Sequence, residues 1–567
     1  MKFIRLSNRF KNGVYSCLII LRNLRSYRFA LLAALGILTL LSCAGPPVAT
    51  NVQLVPNPNK NAPLAGILTF TSDRPVITTL TIDDGMTRQI VQPDDSLKTN
   101  HKVLVLGLKP GKLHQITATL KDENGRELIL DSLSIETPPL PDDFPSLDLV
   151  QEKTGEMEPG ITMFTVFRWK EAFDDDADWG YAIAVNEAGE VVWYLKTNNW
   201  IDEVRRKHNG NLMFGGVEDG RVFEVDMLGN IVQEWYSSGA VTKPITEESI
   251  AVDTDMFHHD VIELASGNFL GLGLEVRSLQ DFPVEYPPSE KKQTADVAGD
   301  VIIEFAPDGS TVRKWSMVDI LDPRRLGEGS LSGDHYYDIY NEVYDPLPYD
   351  ITHCNAIYYI KEEDAVLVSS NFQCAIYKID MKTGSLKWIL GDPTGWEKPW
   401  SDKLLKPKGD FTWPCHQHGM EMTPQGTLLL FDNGGARFIP PNPPMPKEDR
   451  FSRALELRVD EVAGTVEEVW TYGPEKERFV SPFISDADYL TNTGNILITD
   501  GGRFKDKEGN LMPTFGGHQW ARILEVTKKP STEKIWELHI YDPEIRYSVY
   551  RAQRFYSLYP NKDRPTG

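Results

Sequence analysis

The sequence predicts an all-β protein, a six-bladed β-propeller preceded by a small β-sandwich. Gly (43), Pro (38) and aromatic residues (10%) are frequent, which favours many short strands and turns over long helices. At 567 residues the chain exceeds one ordinary core, so it holds several domains or one large closed array of sheets. Beyond about residue 155 a single unit recurs, an apolar strand, a turn, and a second strand ending in Trp.

The first 28 residues carry seven Lys or Arg and no acid, and the apolar run FALLAALGILTLLSC follows. A basic segment before a short apolar run reads as an export signal, because a spanning helix needs about 20 apolar residues. Leu40-Leu41-Ser42-Cys43 resembles the lipobox of bacterial lipoproteins. That resemblance implies a signal over residues 1–43, lipidation of Cys43, and membrane contact through the lipid anchor alone. With Ala44 next, the expected location is the cell envelope, on the periplasmic side of the outer membrane or at the cell surface.

Residues 44–62 are rich in Pro and Asn and read as a tether. Residues 63–138 alternate in short strands (GILTFTS, VITTLTI, HKVLVLGL, HQITATLKD, ELILDSLSI) divided by KPGK and DENG, as a small sandwich requires. The stretch LGLKPGKLHQITATLKDENG is similar to part of fibronectin III-like sandwiches. TPPLPDDFP then marks a linker, and the propeller is assigned to residues 150–560.

The repeated hairpins end in Trp193, Trp235, Trp315, Trp388, Trp470 and Trp536, which predicts six blades. Between them lies a second hairpin, as in HDVIELASGNFLGLG and HGMEMTPQGTLLLFD. Two hairpins make the four strands of a propeller blade. The sixth inner hairpin is missing. ITMFTVFRW at the start and YSVYRAQRF at the end are therefore expected to pair and close the ring, leaving no exposed edge.

A net charge of −23 repels phosphate backbones and argues against a nucleic-acid partner. There is no Cys-x-x-Cys pair and no Gly-x-x-x-x-Gly-Lys-Ser/Thr loop, so neither a zinc cluster nor a nucleotide cofactor is called for. Cys354, Cys374 and Cys415 lie beyond the export segment, enough for one disulfide and one free thiol, with the pairing open.

Aligned on their turns, the inner hairpins share one position. Asp202, His259, His418 and Asp486 each stand eight residues before the turn glycine, and Asn355 takes the same place in its hairpin. In a propeller the first strand of each blade lines the central channel, so these side chains converge at its mouth. His258, His353 and His416 lie one or two residues earlier on the same approaches. Such a cluster suits a nucleophilic imidazole with donors around it, or a metal site. A polar structural plug is the plainer alternative.

The stretches FHHD, HCNAIYY, SSNFQCAIYKID, HQHG, LLLFDNGGAR and YRAQR together resemble the bacterial arylsulfate sulfotransferases over roughly residues 50–560. That resemblance implies a six-bladed propeller. It further implies transfer of a sulfuryl group from a phenolic sulfate donor to a phenol acceptor, through a sulfated histidine and without a nucleotide donor. It makes His418 the nucleophile, and gives His259 (with His258 as alternate) and His353 the sulfate and the leaving group. Asn355 is then their partner, and a homodimer is implied by resemblance alone. One departure stands out. The family has an arginine beneath the sulfate where this chain has Asn371, and a neutral amide does not replace that charge. Either Arg437 or Arg503 fills in, or the activity differs. Two other readings remain, a non-catalytic ligand-binding propeller and a metal-dependent hydrolase.

Overall fold

The computed structural model describes residues 45–559 except 94, 154, 169–178, 217–219, 240–244, 287–290, 411 and 529. The export signal and Cys43 lie outside the described residues. Among those described, helix is confined to short turns such as Met317–Ile320, and no helix is long and apolar enough to cross a membrane.

Six sheets of at least four strands follow one another along the chain. Their innermost strands from blade 2 to blade 6 are Arg205–Arg206, Phe257–Glu263, Cys354–Ile360, His418–Met422 and Asp486–Tyr489. Blade 1 holds Ile161–Arg168, Gly180–Val185 and Val191–Thr197, and takes Tyr547–Phe555 from the far end of the chain as its innermost strand. That pairing is the closure expected from ITMFTVFRW and YSVYRAQRF. A second closure was not legible in the sequence. Ser146–Glu152, directly after the expected linker, pairs with Lys534–Tyr541 on the outside of blade 6.

The repeated tryptophans show why the unit recurs. Trp193 Nε1 donates to Met227 O of blade 2 at 3.0 Å, Trp235 to Pro307 O of blade 3 at 2.9 Å, and Trp315 to Met381 O of blade 4 at 3.2 Å. Trp470 donates to Thr532 Oγ1 of blade 6 at 3.1 Å, and Trp536 to Glu187 O of blade 1 at 2.9 Å. Each indole thus latches its blade to the outer hairpin turn of the next, and Trp536 completes the circuit. This is the ring order of a six-bladed propeller. Trp388 is the exception, its Nε1 buried without a hydrogen-bond partner. Trp193 and Trp536 are fully buried, so truncating either to Ala costs about 3–5 kcal/mol.

The N-terminal domain is built on one long strand, Ala65–Asp83. Its first half pairs with Ala49–Pro56 and Lys98–Leu106, its second half with Arg88–Val91 and Leu113–Asp122. The register breaks between Thr71 and Val76, at Pro75, which lacks the N–H a continuous ladder needs. Leu68, Phe70, Val76, Leu80 and Ile82 alternate into one core. The tether assignment needs correction here. Residues 49–56 form an edge strand, and Asn57 and Asn59 then dock on blade 2, their Nδ2 atoms donating to Leu228 O at 2.9 Å and Gly229 O at 2.7 Å. Polar Asn and Pro suit both a solvated tether and an edge strand, so composition could not separate the two.

Candidate active site

Three inner strands reach the centre through the same backbone device. The approaches to blades 4, 5 and 6 turn left-handed two residues before the aligned position, at His353 (φ 45°), His416 (φ 54°) and Ile484 (φ 49°). Such residues are uncommon and cost of order 1–3 kcal/mol each. Each pairing of the innermost strands of blades 3, 4 and 5 then breaks register within a residue of the aligned position, after His258, Cys354 and His418. These bulges aim side chains that a regular pleat would point away. Gly419, the bulge residue after His418, has φ 49°, and a Cβ there would collide with the Asp486 carboxylate. That explains the glycine in HQHG.

The result is a cavity of about 660 Å³ lined by His259, His353, His416, His418 and Asn371, with Phe372, Phe483 and Phe515 on its walls. The rings of His259 and His353 lie 4.9 Å apart, centre to centre. A fifth imidazole, His335, lines the cavity too, 4.7 Å from the His353 ring. It comes from the long insertion between blades 3 and 4, which has no counterpart in the repeat, so the alignment could not find it.

Hydrogen bonds fix which nitrogen of each ring carries a proton. His418 Nδ1 faces two oxygens, His416 O at 3.0 Å and Asn433 Oδ1 at 2.9 Å. Both accept, so Nδ1 donates and Nε2 keeps its lone pair. The Asn433 amide cannot turn round, because its Nδ2 donates to Ser481 O and Ile484 O, each at 2.8 Å. Burial above all, with the nearby Arg551 charge, pushes the His418 pKa down to about 3 despite these bonds. The ring is a free base at neutral pH.

His258 and His259 form a relay. His258 Nε2 stands 3.1 Å from Asp300 Oδ1, and its Nδ1 lies 2.8 Å from His259 Nδ1. Burial opposes a charge on His258, but the Asp300 carboxylate outweighs it and raises the ring above its ordinary value. Nε2 also faces Gly273 O at 3.1 Å, so it carries a proton; when the ring is charged, Nδ1 donates to His259 Nδ1 and the His259 proton resides on Nε2. Burial and the neighbouring His353 and His258 hold His259 well below its ordinary value, hence neutral.

His353 has a different partner. Its Nδ1 is 2.6 Å from Asp350 Oδ2, while its backbone N–H donates to Asp350 Oδ1 at 3.1 Å. Burial, and then the Asp300 charge, pushes Asp350 up to about 8, and burial pushes His353 down to about 4. The pair is neutral overall. Asp350 holds its proton against Nδ1, so His353 carries its own on Nε2.

The other expected site residues divide. Asn371 is where the resemblance put it, on the cavity wall and only 6% exposed, with no partner for its Oδ1. Asn355 does not line the cavity. It is fully buried behind it, its Nδ2 donating to Gln417 O at 2.8 Å, which props the approach to His418 from the rear. His258 also sits behind the wall, shielded by His259. Neither Arg437 nor Arg503 lines the cavity. Arg437 is held by Asp432 at 3.0 Å, and Arg503 by Asp500 and the face of Trp520. The arginine whose charge acts on His418 is instead Arg551. It bonds Glu203 and Asn355 O (2.9 Å), and lies 3.6 Å from Asp260 and 3.9 Å from Asp486. Residues of four other blades meet at this one guanidinium.

Asp300, Asp350 and Asn433 were missed as functional residues. Only Asn433 carried a signal, standing where the hairpin after His418 ends. Cys374 and Cys415 are disulfide-bonded, leaving Cys354 buried and free. The bond ties the Asn371 turn to the approach of His416 and His418.

Residues 147–551 match the family described as arylsulfotransferase, and residues 54–138 match the arylsulfotransferase Ig-like domain. The arylsulfate sulfotransferase AssT of Escherichia coli O6:H1 is 25% identical, over 92% of this chain and 95% of its own. That of Lelliottia amnigena is 27% identical over 66% of this chain and 64% of its own. With the family matched across most of its length, the chain belongs to the arylsulfate sulfotransferases.

Proposed function

We propose that this enzyme moves a sulfuryl group from a phenolic sulfate ester to a phenol in two half-reactions, with His418 Nε2 as the nucleophile that carries the group between them. One observation supports this above the others. His418 offers the cavity a lone pair, while His259 and His353 on its other sides offer N–H groups. A nucleophile opposite donors is the arrangement that transfer to a neutral base needs.

In the first half-reaction His418 Nε2 forms the N–S bond as the S–O bond to the aryl group breaks. The bond pair leaves on the phenolate oxygen, which takes the proton of His353 Nε2. The Asp350 proton moves onto His353 Nδ1, leaving a carboxylate. His259 Nε2–H and the Asn371 amide donate to the sulfuryl oxygens. In the second half-reaction an acceptor phenol returns its proton to His353, attacks sulfur, and the bond pair goes back to His418 Nε2. The His418 charge formed in between is balanced by the new Asp350 carboxylate. Phenols, with a pKa of about 10, leave far more readily than alkyl alcohols, and Phe372, Phe483 and Phe515 give an aryl ring apolar walls.

Brief exposure to a chromogenic aryl sulfate, followed by peptide mass analysis, tests the assignment. The expected result is one added sulfuryl group on the peptide containing His418 and no transfer by His418→Asn. Parental turnover in that variant would refute it. We also propose that Cys43 carries a lipid anchor in the cell envelope. The support is the basic and apolar leader ahead of it. Loss of radiolabelled fatty acid in Cys43→Ala is the expected result, and equal labelling overturns the idea.

A further inference from the structure

Blade 5 carries a loop between its second and third strands that folds over the cavity and ends in a short 3-10 turn, Lys447–Asp449. Such a turn repeats about every three residues, so Lys447 and Arg450 share one side. Both line the cavity, and Glu448 and Asp449 between them do not. The turn has sorted its charges, with both cations inward.

Among the described residues these are the only Lys or Arg on the cavity wall. Acids outnumber Lys and Arg by 82 to 59, and Arg437, Arg503 and Arg551 are all engaged by carboxylates. Among the described residues neither Lys447 nor Arg450 meets a carboxylate. Arg450 Nε donates to Met445 O at 3.2 Å, and its main chain is pinned where its carbonyl accepts from Arg478 at 2.9 Å. Among the described residues neither Nη group has a partner, leaving a fork suited to a planar carboxylate. Glu328 also lines the cavity, but it sits 3.4 Å from His416 and accepts the Ala436 N–H at 3.3 Å.

We propose that the phenols this site accepts carry a second anionic group, a carboxylate on the far side of the ring, held by Lys447 and Arg450. The inference rests on the sulfotransferase reading, in which the histidines serve the sulfuryl end and Phe372, Phe483 and Phe515 flank the ring. The competing role for the two cations is to draw in the sulfate of any donor, which would affect all acceptors alike.

The test pairs phenol with 3-(4-hydroxyphenyl)propanoate as acceptors, at a fixed aryl sulfate donor. The wild type is expected to favour the carboxylated acceptor at least tenfold in kcat/KM. The double variant Lys447→Gln, Arg450→Gln should lower that ratio tenfold, and Lys447→Glu, Arg450→Glu should shift preference to tyramine. An unchanged ratio overturns the proposal, as does an equal loss for both acceptors. Titration of the propanoate without donor separates this from the transferase reading. Binding weakened tenfold in the Gln variant supports the subsite even if no sulfuryl group moves, and equal binding refutes it.

Discussion

Replacing Asn433 by Ala probes how the nucleophile is held ready. Asn433 Oδ1 is one of two acceptors for His418 Nδ1–H, the other being His416 O. In the resting enzyme this is a bond between neutral groups, worth about 0.5–1.5 kcal/mol, whereas a bond to a charged group is worth about 1.5–3 kcal/mol. As Nε2 attacks sulfur the ring gains a positive charge, so the bond strengthens on the way to the transition state. Only that difference, about 1–2 kcal/mol, affects the rate, which corresponds to about 5–30-fold. The Ser481 and Ile484 carbonyls lose a donor as well, so folding should weaken by about 1–3 kcal/mol. The assay is stopped-flow release of a chromogenic phenol in a single turnover, with stability from urea denaturation. A slower burst with little change in donor KM is expected. A folded variant with an unchanged burst rate would refute the claim that Asn433 sets the reactive form of His418.

Asp350→Asn removes the proton behind His353 and should slow release of poor leaving groups by about 10²-fold, with much less effect on activated nitrophenols. An unaltered leaving-group dependence would exclude the relay. Because His418 titrates at about 3 and Asp350 at about 8, sulfuryl transfer should stay level from pH 5 to 7 and decline above about 8. Asp350→Asn should abolish that decline. On stability, burial pushes Asp202 up to about 7 and Glu421 up to about 8. Groups raised in the folded state stabilise it while protonated and lose that contribution as pH climbs through those values, at up to about 1.4 kcal/mol per unit and group. The urea midpoint should therefore be lower at pH 8.5 than at 6.5, and an equal or higher midpoint contradicts the assignment. Gly419→Ala should lower the melting temperature and activity together, since both φ and the Asp486 carboxylate forbid a Cβ there.

Local periodicity determined much by itself. The Trp-ended hairpins fixed the blade number, because each blade repeats one local solution to burying one face and latching the next. The eight-residue offset placed His259 and His418 together, since equal distances from equivalent turns become equal depths in a ring. Positions outside the repeat were beyond its reach. His335 comes from an insertion, Ser146–Glu152 from the stretch between the linker and the first repeat, and Arg551 from the strand that closes the ring. Asn355 had the right offset, and His258 stood one residue before it, but both lie behind the wall, because bulges and left-handed residues decide which way a side chain points, and these depend on neighbouring blades. The protonation of each histidine was decided only in three dimensions. It is set by partners distant in sequence, Asp300 for His258 and Asn433 for His418, and by burial that no single strand confers.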